Sequence, residues 1–339
     1  MAEAVLVTGG TGYVAGWCIA ELLNRGYAVR TTVRNLAKEA AVRASVAPVA
    51  DAGDRLSFFA ADLVQDAGWD AAVNGCDYVW HVASPLGATW AKDPNALIVP
   101  ARDGALRVLR ASLKAGVKRV VMTSSTAASS PPLASADSFT DETLWTDAKG
   151  KGLSAYRQSK TIAERAAWDF MAGQGASGVL TTVLSTGVLG PVLTADNLGS
   201  VQVVGRMLSG RLPGTPRIGF TVVDVRDLVH AHLRAMTTPA AAGQRFIAGG
   251  DFMWMADIAK VLRRELGEQA KKVPTRQLPS FLVRLAAVFD PALRELAPGL
   301  GHKHAFSSEK AKRVLDWAAR PTVMTIVDCA KSLIEKGAV

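Results

Sequence analysis

The sequence predicts an α/β protein, a doubly wound parallel sheet with a smaller, mostly helical C-terminal lobe. Three observations carry that expectation. A short apolar run meets a glycine-rich turn at Ala4-Val5-Leu6-Val7-Thr8-Gly9-Gly10-Thr11-Gly12, and an apolar helical pattern (Val14, Cys18, Ile19, Leu22, Leu23) starts at once. Further apolar runs then alternate with helical stretches, the pattern of parallel strands covered on both faces. After Pro191 the character changes: proline and glycine become frequent and helical patterns dominate.

Strand, turn and helix at the start come in the order a dinucleotide-binding βαβ unit requires. Gly9 suits the tight turn, and Gly12 lets the backbone approach a pyrophosphate at the helix N-terminus. The third fingerprint position is Ala15, small enough for helix–strand packing. Gly26-Tyr27 stops the helix, and Ala28-Val29-Arg30-Thr31-Thr32-Val33 is the second strand. Leu56-Ser57-Phe58-Phe59-Ala60 is the third, Tyr78-Val79-Trp80-His81-Val82 the fourth and Arg119-Val120-Val121-Met122-Thr123 the fifth. A helix over 95–115 separates the last two. A sixth strand, Leu180-Thr181-Thr182-Val183-Leu184, follows a helix over 154–171. Phe220-Thr221-Val222-Val223 and Arg245-Phe246-Ile247 still read as tied to the sheet. Residues 1–190 are therefore expected to form a Rossmann-type domain, with sheet-linked returns near 220–250. Residues 191–339 are expected to form mainly a substrate lobe over the C-terminal strand ends, where open α/β sheets bind ligands.

The totals bound the remaining classes. At 339 residues, 49% apolar and 20% charged, the chain can bury a substantial core. No run approaches the ~20 apolar residues of a membrane span. The first strand begins by Ala4, which leaves no room for a signal peptide and points to the cytoplasm. Cys18, Cys76 and Cys329 are scattered, with no metal or redox spacing, and read as reduced, buried thiols. The net charge of +9 is dispersed over short clusters such as Lys118-Arg119 and Lys271-Lys272, without the basic stripe of a nucleic-acid binder. Neither nucleic acid nor membrane is an expected partner. His230-Ala231-His232 and His302-Lys303-His304 lack a third ligand at supporting spacing, so no metal is expected. His81, inside a strand, reads as a packed core imidazole, and Trp145, Trp168 and Trp254 as packing residues.

Chemistry concentrates at the strand ends. Arg34 follows the second strand where an NAD site usually places an acidic residue, with Lys38 one helical turn on. A guanidinium suits a ribose 2′-phosphate bidentately, which points to NADP(H). Asp62 and Leu63 after the third strand suit the adenine edge, with helix capping by Asp62 an even alternative. Val82-Ala83-Ser84-Pro85 ends the fourth strand with small residues that let a cofactor pass closely. Ser124-Ser125 ends the fifth, and Tyr156 and Lys160 share one helix face at i and i+4. A free phenol titrates near ~10, and a neighbouring ammonium favours its phenolate.

Together with Val33-Arg34, His81-Val82-Ala83-Ser84-Pro85, Thr123-Ser124-Ser125, Tyr156-Arg157-Gln158-Ser159-Lys160 and Gly190-Pro191, the glycine turn resembles that of the extended short-chain dehydrogenases/reductases. The likeness spans nearly the whole chain. It is similar, more narrowly, to the dihydroflavonol reductase, cinnamoyl-CoA reductase and NADPH-dependent aldehyde reductase branch. The resemblance implies Ser125 as catalytic serine, with Ser124 and Thr126 as alternatives, Tyr156 as proton donor, and Lys160 on the nicotinamide ribose. It implies NADP(H) contacts from Thr8, Gly9, Thr11, Gly12, Tyr13, Val14, Arg34, Lys38, Asp62, Leu63, Val82, Ala83, Ser84, Thr123, Ser185, Gly187 and Val188. Substrate contacts are implied for Pro85, Leu86, Trp90, Thr126, Ser130 and Tyr156. Three positions depart from the branch: Asp103 where an Asn is frequent, Ser185 where a Pro is usual, and Ser130 where flavonoid enzymes carry an Asn. Flavonoid specificity is therefore not carried over. The activity implied is NADPH-dependent reduction of an aldehyde or ketone with an apolar or aromatic body, by a monomer or homodimer acting on a small-molecule carbonyl. The competing readings are a hydroxysteroid or sugar-nucleotide dehydrogenase or epimerase on the same scaffold, and a non-catalytic NADP-sensing protein.

Overall fold

The computed structural model describes residues 2–85, 93–150, 152–196, 198–289 and 291–339. Its strands are β1 (Ala4–Val7), β2 (Ala28–Val33), β3 (Leu56–Ala60), β4 (Tyr78–His81), β5 (Arg119–Ser125), β6 (Ser138–Thr140), β7 (Leu180–Ser185), β8 (Gly187–Leu189), β9 (Gly219–Asp224), β10 (Arg245–Ala248), β11 (Phe252–Trp254) and β12 (His304–Phe306). The main sheet runs β10-β7-β5-β4-β1-β2-β3, every neighbouring pair parallel. Strand order reverses between β1 and β4, which opens a crevice at their C-terminal ends.

Helices pack on both faces. They are α1 (Tyr13–Asn24), α2 (Glu39–Val46), α3 (Trp69–Val73), α4 (Asn95–Lys114), α5 (Ala155–Gly173), α6 (Gln202–Leu208), α7 (Val225–Thr237), α8 (Met255–Leu266), α9 (Ser280–Ala286), α10 (Pro291–Leu296), α11 (Glu309–Leu315) and α12 (Thr322–Glu335). Period-two alternation in β1 divides its side chains. Val5 and Val7 join a core with Ile19 and Leu22 of α1, Leu228 of α7 and Trp317. Leu6 joins the opposite core, with Leu109 of α4 and Met171 of α5. A third core, built by Val204 and Met207 of α6, Ile258 and Leu262 of α8 and Leu333 of α12, lies in the C-terminal part.

Local signals set the helix ends. Gly26, at φ 85°, closes α1, with its N–H on the Leu23 carbonyl and that of Tyr27 on Leu22. Ser154 caps α5 by accepting from the Arg157 N–H, and Asp224 caps α7 by accepting from Arg226. Among the described residues no helix is long and apolar enough to cross a membrane.

One expectation needs correction. The 245–248 strand joins the main sheet beside β7, but Phe220-Thr221-Val222-Val223 does not. As part of β9 it pairs with β8 and β11 in a separate sheet. An apolar run ending in a helix cap identifies a strand, not the sheet that takes it. The short β6–β12 pairing joins segments far apart in sequence and has no local signature.

Gly68 illustrates the tolerance of the frame. It sits at φ 90°, and a Cβ there would lie 2.0 Å from the Ala60 carbonyl oxygen. Gly68→Ala is expected to lower unfolding stability by about 2–4 kcal/mol, from left-handed strain plus the clash. Urea denaturation with an unchanged m-value is the check.

Candidate active site

The glycine turn is built for close approach. Gly9 takes φ 76°, its N–H donates to Thr32 Oγ1 at 2.9 Å, and the Gly12 N–H returns to the Gly9 carbonyl at 2.9 Å. A Cβ on Gly9 would meet the Ala83 Cβ at 3.0 Å. Gly12 is the N-cap of α1 and offers no side-chain acceptor. The N-cap side chain therefore satisfies none of the first-turn N–H groups of Tyr13 and Val14, and a helix N-terminus of this kind fits the pyrophosphate of a dinucleotide.

Thr8 is fully buried and its hydroxyl is spoken for. It accepts from the N–H groups of Val82 and Ala83 at 3.0 and 2.9 Å, leaving its own proton for His81 Nδ1 at 3.0 Å. His81 is neutral, because burial first and the Lys160 charge second push its pKa down to about 3. The part Thr8 plays here is to fasten β1 to the end of β4.

Arg34 and Lys38 stand exposed after β2, and neither side chain has an ion-pair partner among the described residues. Two unengaged cations fit a phosphate beyond the glycine turn. Asp62 Oδ1 accepts from the Val64 N–H at 3.1 Å, and Leu63 packs on Gly104 of α4, where a Cβ would come within 2.8 Å.

At the crevice, β4, β5 and α5 bring three side chains together. Tyr156 Oη lies 3.5 Å from Ser125 Oγ. Ser125 Oγ also accepts from the Ala127 N–H at 3.2 Å and so keeps its own proton to donate. Lys160 Nζ donates to Ser84 Oγ at 3.0 Å and lies 5.9 Å from the Tyr156 ring centre. Tyr156 and Lys160 are half-buried and Ser125 is 8% exposed. Of the alternative hydroxyls, Ser124 donates to Glu164 at 2.6 Å and Thr126 to the Ser185 carbonyl at 3.4 Å.

The remaining residues form walls. Ser185 Oγ donates to the Ser124 carbonyl at 3.2 Å, and Gly187 lies on the Phe220 ring, where a Cβ would come within 2.5 Å. Val188 is buried. Thr123 turns to the other face of β5, its hydroxyl 2.6 Å from His232 Nε2. His232 Nδ1 donates to the Leu228 carbonyl at 2.8 Å, so Nε2 is the acceptor. Burial pushes His232 down to about 4. Ser130 donates its hydroxyl to the Thr126 carbonyl, and Asp103 pairs with Arg102 on α4. Pro85 is half-buried at the lip, whereas Leu86 and Trp90 lie outside the described residues. Among the described residues no group of His, Cys, Asp and Glu could hold a metal ion.

A buried pair escaped the sequence reading. Glu164 and Arg245 sit behind Ser124, with Arg245 Nε 2.8 Å from Glu164 Oε1. The available signal was that Glu164 follows Lys160 by four residues, on the same side of α5.

The chain is similar to several known proteins. The sequence model of the NAD dependent epimerase/dehydratase family matches residues 5–249. Cinnamoyl-CoA reductase 2 of Arabidopsis thaliana is 32% identical over 339 residues, covering 99% of this chain and 93% of that relative. An anthocyanidin reductase ((2S)-flavan-3-ol-forming) of Vitis vinifera is 33% identical over 288 residues, covering 80% and 83%. The crystal structure of yeast methylglyoxal/isovaleraldehyde reductase complexed with NADPH has the same fold. It aligns with a TM-score of 0.81 at 24% identity, covering 99% of this chain and 100% of that one.

The two buried histidines make stability pH-dependent. Both are neutral when folded and titrate near 6.5 when unfolded, so each takes up a proton on unfolding below that pH. Their contribution is complete above pH 6.5 and declines as pH falls toward 4, by about 2 kcal/mol each at pH 5. Urea midpoints at pH 7.5 and 5.0 measure the fall. His232→Gln should shed one proton's worth of the slope, and an unchanged slope would remove His232 from the account.

Proposed function

The chain belongs to the NAD dependent epimerase/dehydratase family, and on that premise we propose that it is an NADP(H)-dependent reductase of aldehydes or ketones with an apolar or aromatic body. The observation that carries this reading is the meeting of Ser125 Oγ, Tyr156 Oη and Lys160 Nζ beside the glycine turn. Its relatives at comparable identity across most of their length, a cinnamoyl-CoA reductase and an anthocyanidin reductase among them, are named as reductases.

The N–H groups of Tyr13 and Val14 would hold the pyrophosphate, and Arg34 with Lys38 the 2′-phosphate. NADPH, when bound, supplies the hydride that the carbonyl carbon receives. Ser125 and Tyr156 donate hydrogen bonds to the carbonyl oxygen, so charge that develops there meets two fixed donors. Tyr156 then releases its proton to that oxygen, completing the alcohol. Lys160, held by Ser84, places a positive charge near the ring that has just become anionic. The tight walls of Ser185, Gly187 and Val188 exclude water from one side. Residues 191–339 supply the substrate side of the cleft in this reading, and their variable loops set which carbonyl fits.

Two variants test it. Tyr156→Phe should lower turnover of an aromatic aldehyde by about 10³-fold or more while NADPH still quenches tryptophan fluorescence. A Phe variant near the wild-type rate would sink the assignment. Arg34→Asp should shift the ratio of kcat/KM for NADPH over NADH by about 10- to 100-fold toward NADH, since a charge-assisted pair is lost and a carboxylate offered to the free ribose. Indifference to that change would leave the 2′-phosphate without its proposed partner.

A further inference from the structure

Behind the three reacting side chains lies a carboxylate that the mechanism above does not use. Glu164 stands one helical turn beyond Lys160 and two beyond Tyr156 on α5, and is 0% exposed. Its Oε2 accepts from Ser124 Oγ at 2.6 Å. Its Oε1 accepts from Thr182 Oγ1 at 2.8 Å, from Arg245 Nε at 2.8 Å and from Trp168 Nε1 at 3.4 Å. Arg245 Nη2 adds a contact to Oε2 at 3.3 Å. One carboxylate thus ties α5 to β5, β7 and β10.

Arg245 is itself clamped. Its guanidinium lies 3.5 Å from the centre of the Trp145 ring, and Nη1 donates to the carbonyls of Glu142 and Leu144. A buried ion pair of this kind is seldom the stablest way to fill a core, since apolar side chains of similar volume often serve as well or better. It does provide direction. Charge-assisted bonds tolerate little change in distance or angle, and here they terminate on Ser124, the residue peptide-bonded to Ser125.

We infer that Glu164, locked by Arg245, is a positioning residue that sets the spacing between Ser125 on β5 and the Tyr156–Lys160 face of α5. This rests on the reductase reading. Ser125 and Tyr156 come from separate elements. Thr161 of α5 reaches the Ala127 carbonyl just past β5 at 3.5 Å and Arg157 the Pro131 carbonyl at 2.8 Å. Glu164, however, is the charged group that bonds β5 itself, at the residue before Ser125. The Ser125 and Tyr156 oxygens stand 3.5 Å apart, at the limit of a hydrogen bond, so a small slide of α5 along β5 would break the arrangement. The pyrophosphate turn on β1 and α1 and the cations Arg34 and Lys38 after β2 make no contact with the carboxylate, so the binding constant for NADPH should change little on its loss.

The test compares Glu164→Gln and Ser124→Ala with wild type, using NADPH and an aromatic aldehyde. Both variants should lower kcat by about 10- to 100-fold, the loss typical of a misplacement near 1 Å. The dissociation constant for NADPH should stay within twofold. The solvent deuterium isotope effect on kcat should rise, because proton delivery from Tyr156 becomes limiting. Ser124→Ala removes one donor and leaves the Glu164–Arg245 pair intact, so it reports on positioning even if Glu164→Gln folds poorly. A lower Tm with kcat per folded molecule and isotope effect unchanged would make the network purely structural and overturn the inference. Wild-type protein inactive on every carbonyl tried would instead overturn the reductase reading.

Discussion

The hydroxyl of Thr8 ties β1 to the chain leaving β4, at the point where the two strands part. Parallel neighbours β1 and β4 diverge at the crevice, and the last ladder bond between them runs from the Thr8 N–H to the Trp80 carbonyl. Beyond it the N–H groups of Val82 and Ala83 would be orphaned, at a cost of about 1–3 kcal/mol for each buried donor. Thr8 Oγ1 takes both and passes its own proton to His81. The consequences spread outward. Gly9 can cross Ala83 only because that backbone is fixed, and Ser84, the next residue, presents its hydroxyl to Lys160. The glycine turn and the reacting helix are thereby referred to a single atom.

Strand β5 distributes three successive hydroxyls among three neighbours. Thr123 serves His232 of α7 on one face of the sheet, and Ser124 serves Glu164 of α5 on the other. Ser125, where the strand gives way to a 3-10 turn, is left for Tyr156. The first two bonds fix the strand against both helical layers, so the third hydroxyl enters the cleft at a defined height. A strand end with only one such bond would be free to roll about its own axis.

The main-sheet strands and the convergence of Ser125, Tyr156 and Lys160 were legible because their signals are local. Period-two burial, a glycine turn between strand and helix, and a tyrosine four residues before a lysine all fit within a single element. The exposed place of Arg34 directly after β2 was legible for the same reason. What stayed hidden depends on contacts between distant residues. Thr8 reads as part of a cofactor motif until the fold brings it to His81, 73 residues later. Glu164 and Arg245 are 81 residues apart and ordinary by themselves. The strand at 219–224 carried the right apolar pattern, but the choice between two sheets is made by β8, which meets it only in three dimensions.

The exposed position of Arg34 and Lys38 separates two kinds of evolutionary freedom. Neither side chain holds any other part of the described protein in place, so exchanging either costs the fold little. Ser125, Tyr156 and Lys160 have less latitude, because each is hydrogen-bonded to another part of the fold. Substitutions at 34 and 38 are thus separable from the fold, whereas those at the crevice are not.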